Sequence, residues 1–229
     1  MKKLAIVLLV LSFCVPVFAG ESQLEKATNV VNEIMQTPEK GIPQELLDKA
    51  VCVGVVPSEV KIALGVGGTY GRGVLVCRKG GNGPWDAPSM FTLGAGSVGF
   101  QIGGKSTDVV FIVMNSDGAK KLVRDSVKLG AEMSVAAGPV GRSAEGATDV
   151  QLHAEILSYS RTRGLFAGVS LDGAVVKQDK DDNAKLYHRE IKAENILIKG
   201  EVEAPPSARP LDETLAKYSS KGGQPFNGV

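Results

Sequence analysis

The chain has 229 residues, 22% of them charged and 43% hydrophobic, with 26 Lys and Arg against 25 Asp and Glu. That is enough apolar material for one sizeable core, which excludes a disordered or collagenous chain. A formal charge of +1 and 5% aromatics offer a polyanion no global field and bases few stacking platforms, so nucleic acid is excluded as a partner.

The N-terminus reads as a targeting segment. Lys2 and Lys3 precede an apolar run from Leu4 to Val15, Pro16 breaks it, and Val17-Phe18-Ala19 supplies a cleavage site before Gly20. This is the pattern of a secretory signal peptide, cleaved after Ala19, and the run is short for a membrane span. Cys14 raises a lipoprotein alternative, which Phe13 disfavours because a small residue is needed there. Export to the periplasm, or to the face of an envelope membrane, is the expected localisation. It leaves Cys52 and Cys77, either bridged in an oxidising compartment or buried as two small apolar residues in Val-rich strands. No cysteine or histidine spacing suits a metal, and no cofactor is expected.

Ser22-x-x-Glu25 is a capping box, and Leu24, Ala27, Val31, Ile34 and Met35 follow at helical spacing. A short helix from Pro43 to Lys49 comes next, then a buried strand from Ala50 to Val56 that Pro57 stops. Residues 61–79, 90–104 and 107–115 are strand-like and rich in glycine, of which the chain has 28. Gly repeated through consecutive strands predicts a strongly curved or closed sheet. Val109 to Met114 is apolar throughout and predicts a central strand buried on both faces. Asn115 caps a helix predicted to reach Leu129, which Gly130 ends. Strands are expected at 153–161 and 165–177, a polar turn at 179–183, and a helix at 190–198. The Pro-rich stretch 204–210 reads as a linker, leading to a short amphipathic segment, Leu211 to Tyr218, and a polar tail.

Three motifs suggest chemistry, and each has a weak context. Gly99 to Ser106 matches the P-loop pattern, but the residues after it are β-branched and predict a strand where a phosphate site needs a helix. Gly94, Gly96 and Gly99 match a dinucleotide fingerprint with no helix behind it. No nucleotide is therefore expected. Ala95-x-Ser97-x-Gly99 loosely resembles a hydrolase elbow, with His153 or His188 as base and Asp108 or Asp149 as orienter. Cations flank the Gly-rich turns. Arg161 and Arg163 are two apart, hence on one face of a strand, and Lys61, Arg72, Arg78, Lys79, Lys105 and Arg142 lie near other turns. Gathered at one end of a curved sheet they form a rim for lipid phosphates; dispersed, they are solvated surface. The stripe of the first helix either docks on the core or inserts in a membrane.

Four long segments carry a family resemblance: VGVVPSEVKIALGVGGTYGRGVLV, PWDAPSMFTLGAGSVGFQIGGKSTDVVFIVMN, LGAEMSVAAGPVGR and EILSYSRTRGLFAGVSLDGAVV. In this order they resemble the SYLF lipid-binding domain, from about Leu24 to Ile198, in a bacterial exported member. The resemblance implies a module binding anionic lipids, with an amphipathic N-terminal helix contributing; some relatives also engage actin. It brings no catalytic residues. Where the family more often has GAQSTD this chain has GGKSTD, so Lys105 is an added charge, and Cys52 and Cys77 are not motif residues.

The expectation is a signal peptide (1–19), one SYLF-like α+β domain (20–200) on a curved, barrel-like antiparallel sheet with flanking helices, and a linker, amphipathic segment and tail (201–229). Its function is expected to be non-enzymatic binding of anionic phospholipid head groups at an envelope membrane. Lys61, Arg72, Lys105, Arg161 and Arg163 would contact phosphate, and Leu24, Val31, Ile34 and Met35 would insert. A periplasmic protein-interaction or structural module with an envelope partner is the alternative, and a serine hydrolase using Ser97 a distant third.

Overall fold

In a computed structural model, the structure describes residues 19–36, 41–64, 66–98, 105–141, 148, 151, 153–162 and 165–219. Residues 1–18 of the expected signal peptide, Arg142, Asp149, Arg163 and the tail after Ser219 lie outside these residues. So do the side chains of Lys61, Ser97 and Lys105. No helix among the described residues is long and apolar enough to cross a membrane.

The centre is a strongly curled half-barrel sheet. Its strands are β1 (Cys52–Leu64), β2 (Val66–Cys77), β3 (Ser89–Val98), β4 (Lys105–Val113), β5 (Ser126–Lys128), β6 (Val135–Ala137), β7 (Ile156–Thr162), β8 (Leu165–Gly168) and β9 (Val175–Gln178). They run in the order β5-β9-β3-β2-β1-β4-β7-β6, with β8 also on β7. The β6–β7 pair is parallel and the other pairs are antiparallel. The mixed α+β class and the curled sheet are as the glycine pattern predicts.

Two apolar layers cover the sheet. On one face Val53, Val55, Val74, Val76, Met90, Val110, Ile112, Leu157 and Tyr159 pack with α1 (Ala19–Met35), α2 (Gln44–Lys49) and α6 (Arg209–Tyr218). On the other, Leu75, Phe91, Leu93, Val109, Phe111, Val113 and Ile156 meet α3 (Ser116–Leu122) and α5 (Ala193–Leu197). β4 lies between β1 and β7 and is buried on both sides, which is why Val109 to Val113 tolerates no polar residue.

Several glycines admit an aromatic ring. Gly54 faces Phe111 across β1–β4 and Gly73 faces Phe91 across β2–β3. A Cβ on either glycine would fall inside the opposing ring. The two phenylalanines meet edge to face with centroids 5.6 Å apart. Cross-strand aromatics laid over glycine bend and fill the sheet at once.

Elsewhere the tertiary structure moves the expected boundaries. Pro57 does not end β1; the strand continues to Leu64 across a register shift between Val55 and Val60, with Ser58 at φ 57°. A bulge is where a sheet accepts a proline that cannot donate. α1 is already helical at Ala19, so Ser22 lies inside the helix rather than capping it. The helix after Asn115 stops at Leu122, and Ser126–Lys128 pairs with β9 instead, burying Val127. The expected turn at 179–183 is the start of α4 (Lys180–Tyr187), capped by Asp179. The fold does not end near residue 200. Leu211 and Leu215 are buried against α1, and Asn32 Nδ2 donates to Thr214 Oγ1 at 3.4 Å.

Cys52 and Cys77 are register partners on β1 and β2 and form a disulfide. Both are buried. Of the two readings open in the sequence, the bridge holds, within the Val-rich strands that suggested the other.

Candidate functional site

The ends of β1, β3 and β7 and the starts of β2, β4 and β8 lie at one end of the sheet, as the pairs Lys61–Lys105, Val66–Val98 and Thr162–Leu165 require. Lys61 and Lys105 are register partners on adjacent strands, so the topology brings two of the expected phosphate contacts together. Lys105 and Ser106 open a strand, which removes the helix N-terminus that a P-loop needs.

Arg161 has other obligations. Its Nε and Nη2 donate to Asp108 Oδ2 at 3.0 and 2.8 Å, and Nη1 pairs with Glu33 of α1. Asp108 Oδ1 accepts the N–H of Ser58 at 2.9 Å, which holds the left-handed residue of the β1 bulge. The cluster ties α1, β1, β4 and β7 together. Burial lowers the Arg161 pKa from its ordinary value, and the guanidinium side chain is 22% exposed. Asp108, proposed above as a catalytic orienter, is spent on this network. The partners Glu33 and Asp108 were not legible in the sequence, because the contacts span 128 and 53 residues.

The apolar stripe of α1 is in the core. Leu24, Val31, Ile34 and Met35 are 1, 5, 4 and 9% exposed, packed on the sheet and α6. This corrects their assignment as inserting residues: the face that would enter lipid is already buried against protein, and leaving it would expose the core.

Arg72 differs. Its side chain is 51% exposed and pairs with Asp182 at 3.3 Å, a carboxylate that also holds Lys185 at 2.8 Å. A hydrogen bond to Tyr70 and the charge of Asp182 raise its pKa, and the backbone carbonyl accepts Gln23 Nε2 at 2.6 Å. In register, Arg72 faces Thr92, which faces Lys177; Tyr70 faces Gly94, which faces Val175, then Lys128. Directly paired residues share a face, so these seven continue the α1-covered face of Val74 and Met90 beyond the helix. Here the face is bare. Tyr70 is 55% and Val175 36% exposed, and Lys128 and Lys177 are exposed. A hollow of about 580 Å³ adjoins it, with Tyr70, Thr92 and Lys177 in its wall. Sequence reading found Arg72 and missed the rest, for which the alternation along β9 was the available signal.

On the opposite face at the loop end is a smaller cavity of about 200 Å³, floored by Leu93 and Val109 and edged by Thr69, Thr107, Ser160 and Thr162. The Thr107 and Thr162 hydroxyls hydrogen bond each other at 3.0 Å. Arg78, another of the turn-flanking cations, is buried. It donates to the carbonyls of Ala50, Gly83 and Ser219 and stacks on Trp85 at 4.2 Å, so its charge anchors the end of α6. No group of three or more metal-ligating side chains occurs among the described residues.

The structure is that of a small α+β domain with a half-barrel sheet, one partly bare sheet face and two lysines in register at its strand ends. Residues 94–218 match the family model Ysc84, described as Las17-binding protein actin regulator, and the chain belongs to this Ysc84/SYLF family. It is 36% identical over 202 residues to an SH3 domain-containing protein of Schizosaccharomyces pombe, covering 85% of this chain and 46% of that one. It is 33% identical over 208 residues to the human SH3 domain-containing YSC84-like protein 1, covering 88% and 60%. LAS seventeen-binding protein 3 of Saccharomyces cerevisiae is 32% identical over 203 residues, covering 85% and 44%. The chain thus spans about half of the length of these relatives.

Proposed function

We propose that this protein binds anionic phospholipid head groups at a membrane surface, without catalysis, as an exported protein of the bacterial envelope. The observation that carries the reading is the bare sheet face, where Arg72, Lys128 and Lys177 surround exposed Tyr70 and Val175. Long cations reach phosphates while an aromatic and a β-branched residue meet the interface, the composition a peripheral membrane contact requires. Lys61 and Lys105 add charge at the adjoining strand ends, and Arg163, outside the described residues, is the remaining candidate. The buried disulfide supports export, since such bridges form in oxidising compartments.

Co-sedimentation of residues 20–229 with phosphatidylglycerol-containing and pure phosphatidylcholine vesicles, across a salt series, tests this. Binding to the anionic vesicles alone, fading with salt, is expected; equal binding to both, or none, overturns it.

A protein-interaction module is the second reading. It is favoured by the family's description as a Las17-binding actin regulator, by the name of the relative LAS seventeen-binding protein 3, and by β8. That strand pairs on one side with β7 and exposes 76% of Leu165. Among the described residues its other edge is unpaired, and an open edge with an apolar side chain is a template for an added strand.

A further inference from the structure

Three glycines of β2 and β3 are required neither by a close neighbour among the described residues nor by a positive φ. Gly54, Gly73, Gly138 and Gly168 are required by rings or backbone that occupy their Cβ positions, and Gly80, Gly130, Gly173 and Gly200 by positive φ. Gly68, Gly94 and Gly96 have neither reason. Among the described residues a Cβ on Gly96 would meet nothing within 4 Å, one on Gly94 only the Thr69 carbonyl at 3.8 Å, and one on Gly68 only the Ala95 carbonyl at 3.5 Å. Gly68 and Gly96 are register partners, and Gly94 faces Tyr70. All lie on the bare face. Unlike Phe91 and Phe111, Tyr70 does not lay its ring over the glycine opposite. Glycine inside a strand weakens it, and a glycine that lets the sheet bend also leaves an open floor that a molecule from outside can approach closely.

The three form the floor of a trench walled by Tyr70, which runs about 13 Å from Gly96 to Thr92 at strand rise. At its foot Arg72 and Lys177 stand on either side of Thr92, about 10 Å apart across two strand spacings. Asp182 is shared between Arg72 and Lys185, and Asp125 is paired with Lys180. Among the described residues Lys177 has no carboxylate partner.

We infer that this trench holds a single anionic phospholipid, its phosphate between Arg72 and Lys177 and its glycerol and one acyl chain along the glycine floor beside Tyr70. The inference rests on the head-group reading above and adds that the lipid is gripped individually rather than by surface charge alone.

The test uses monomeric dihexanoyl phosphatidylglycerol, titrated into residues 20–229 by calorimetry, beside vesicles of phosphatidylcholine with phosphatidylglycerol. The wild type is expected to bind both. Gly94→Val with Gly96→Val fills open space, so the double variant keeps or raises its melting temperature while binding the short-chain lipid at least tenfold more weakly. Gly96→Ala gives the same direction with one methyl group should the double variant fail to fold, and Lys177→Glu loses the short-chain lipid with the trench intact. Wild type that binds vesicles but not the monomeric lipid, or folded glycine variants that bind it unchanged, overturns the trench and leaves the head-group reading standing. Wild type that binds neither overturns both.

Discussion

Replacing Arg161 with methionine distinguishes a structural cation from a lipid contact. Methionine keeps much of the aliphatic stem and removes the charge. Two charge-assisted bonds to Asp108 are lost, each about 1.5–3 kcal/mol. Asp108, 15% exposed at its side chain, is left with the Ser58 N–H as its remaining hydrogen-bond partner. The pair with Glu33, 52% exposed, adds at most about 1 kcal/mol. Partial solvent access brings the total to about 3 kcal/mol, the low end for breaking a buried pair. In a chain of this size that lowers the melting temperature by roughly 6–12 °C. Thermal unfolding followed by circular dichroism reads the shift, and vesicle co-sedimentation well below the midpoint reads lipid binding. An unchanged midpoint together with lost vesicle binding would refute the argument and return Arg161 to the lipid.

The remaining predictions use other parts of the fold. Cys52→Ser with Cys77→Ser opens a loop of 25 residues' separation and is expected to cost about 3.5 kcal/mol by loop entropy; urea titration measures it, and a loss below about 1 kcal/mol contradicts it. Gly54→Ala drives a methyl into the Phe111 ring and should cost about 1–3 kcal/mol or more, whereas Gly96→Ala should be neutral or stabilise by up to about 1 kcal/mol; equal effects would remove the distinction between inward and open glycines. Ile34→Ala, at 4% exposed, is expected to lose about 2–5 kcal/mol and to bind vesicles as before once folded. Asp212 Oδ1 is buried without a hydrogen-bond partner among the described residues, and burial, Asp86 and Glu213 push its carboxyl up to about 7. Its folded pKa exceeds the ordinary value near 3.9, so its contribution to stability is full below about pH 4 and lost as pH rises through about 7. Asp212→Asn should therefore gain stability relative to wild type at pH 8 and flatten the dependence over that window.

Local pattern was enough wherever burial follows periodicity. The continuous apolar run of β4 and the glycine-dense strands carry their environment in their own residues, so a curved sheet was readable; the stripe of α1 announced a helix but not whether it meets protein or lipid. Boundaries failed where a distant partner overrode propensity. Val127 leaves a plausible helix because β9 offers it a ladder, and Pro57 survives within β1 because a bulge, pinned through Asp108, excuses its missing donor. Leu211 and Leu215 looked like a tail appendage until α1 supplied their other surface.

By itself the sequence determined the class of fold, the family and the residue types available to meet a phosphate, since these depend on composition and on patterns a few residues long. Only the tertiary structure decided which cations stay exposed. Arg161 and Arg78 are neutralised or enclosed by groups far away in the chain, while Arg72, Lys128 and Lys177 converge on a bare face from three strands. Charge is a property of a residue, but its availability is set by whatever the fold places within a few ångströms of it.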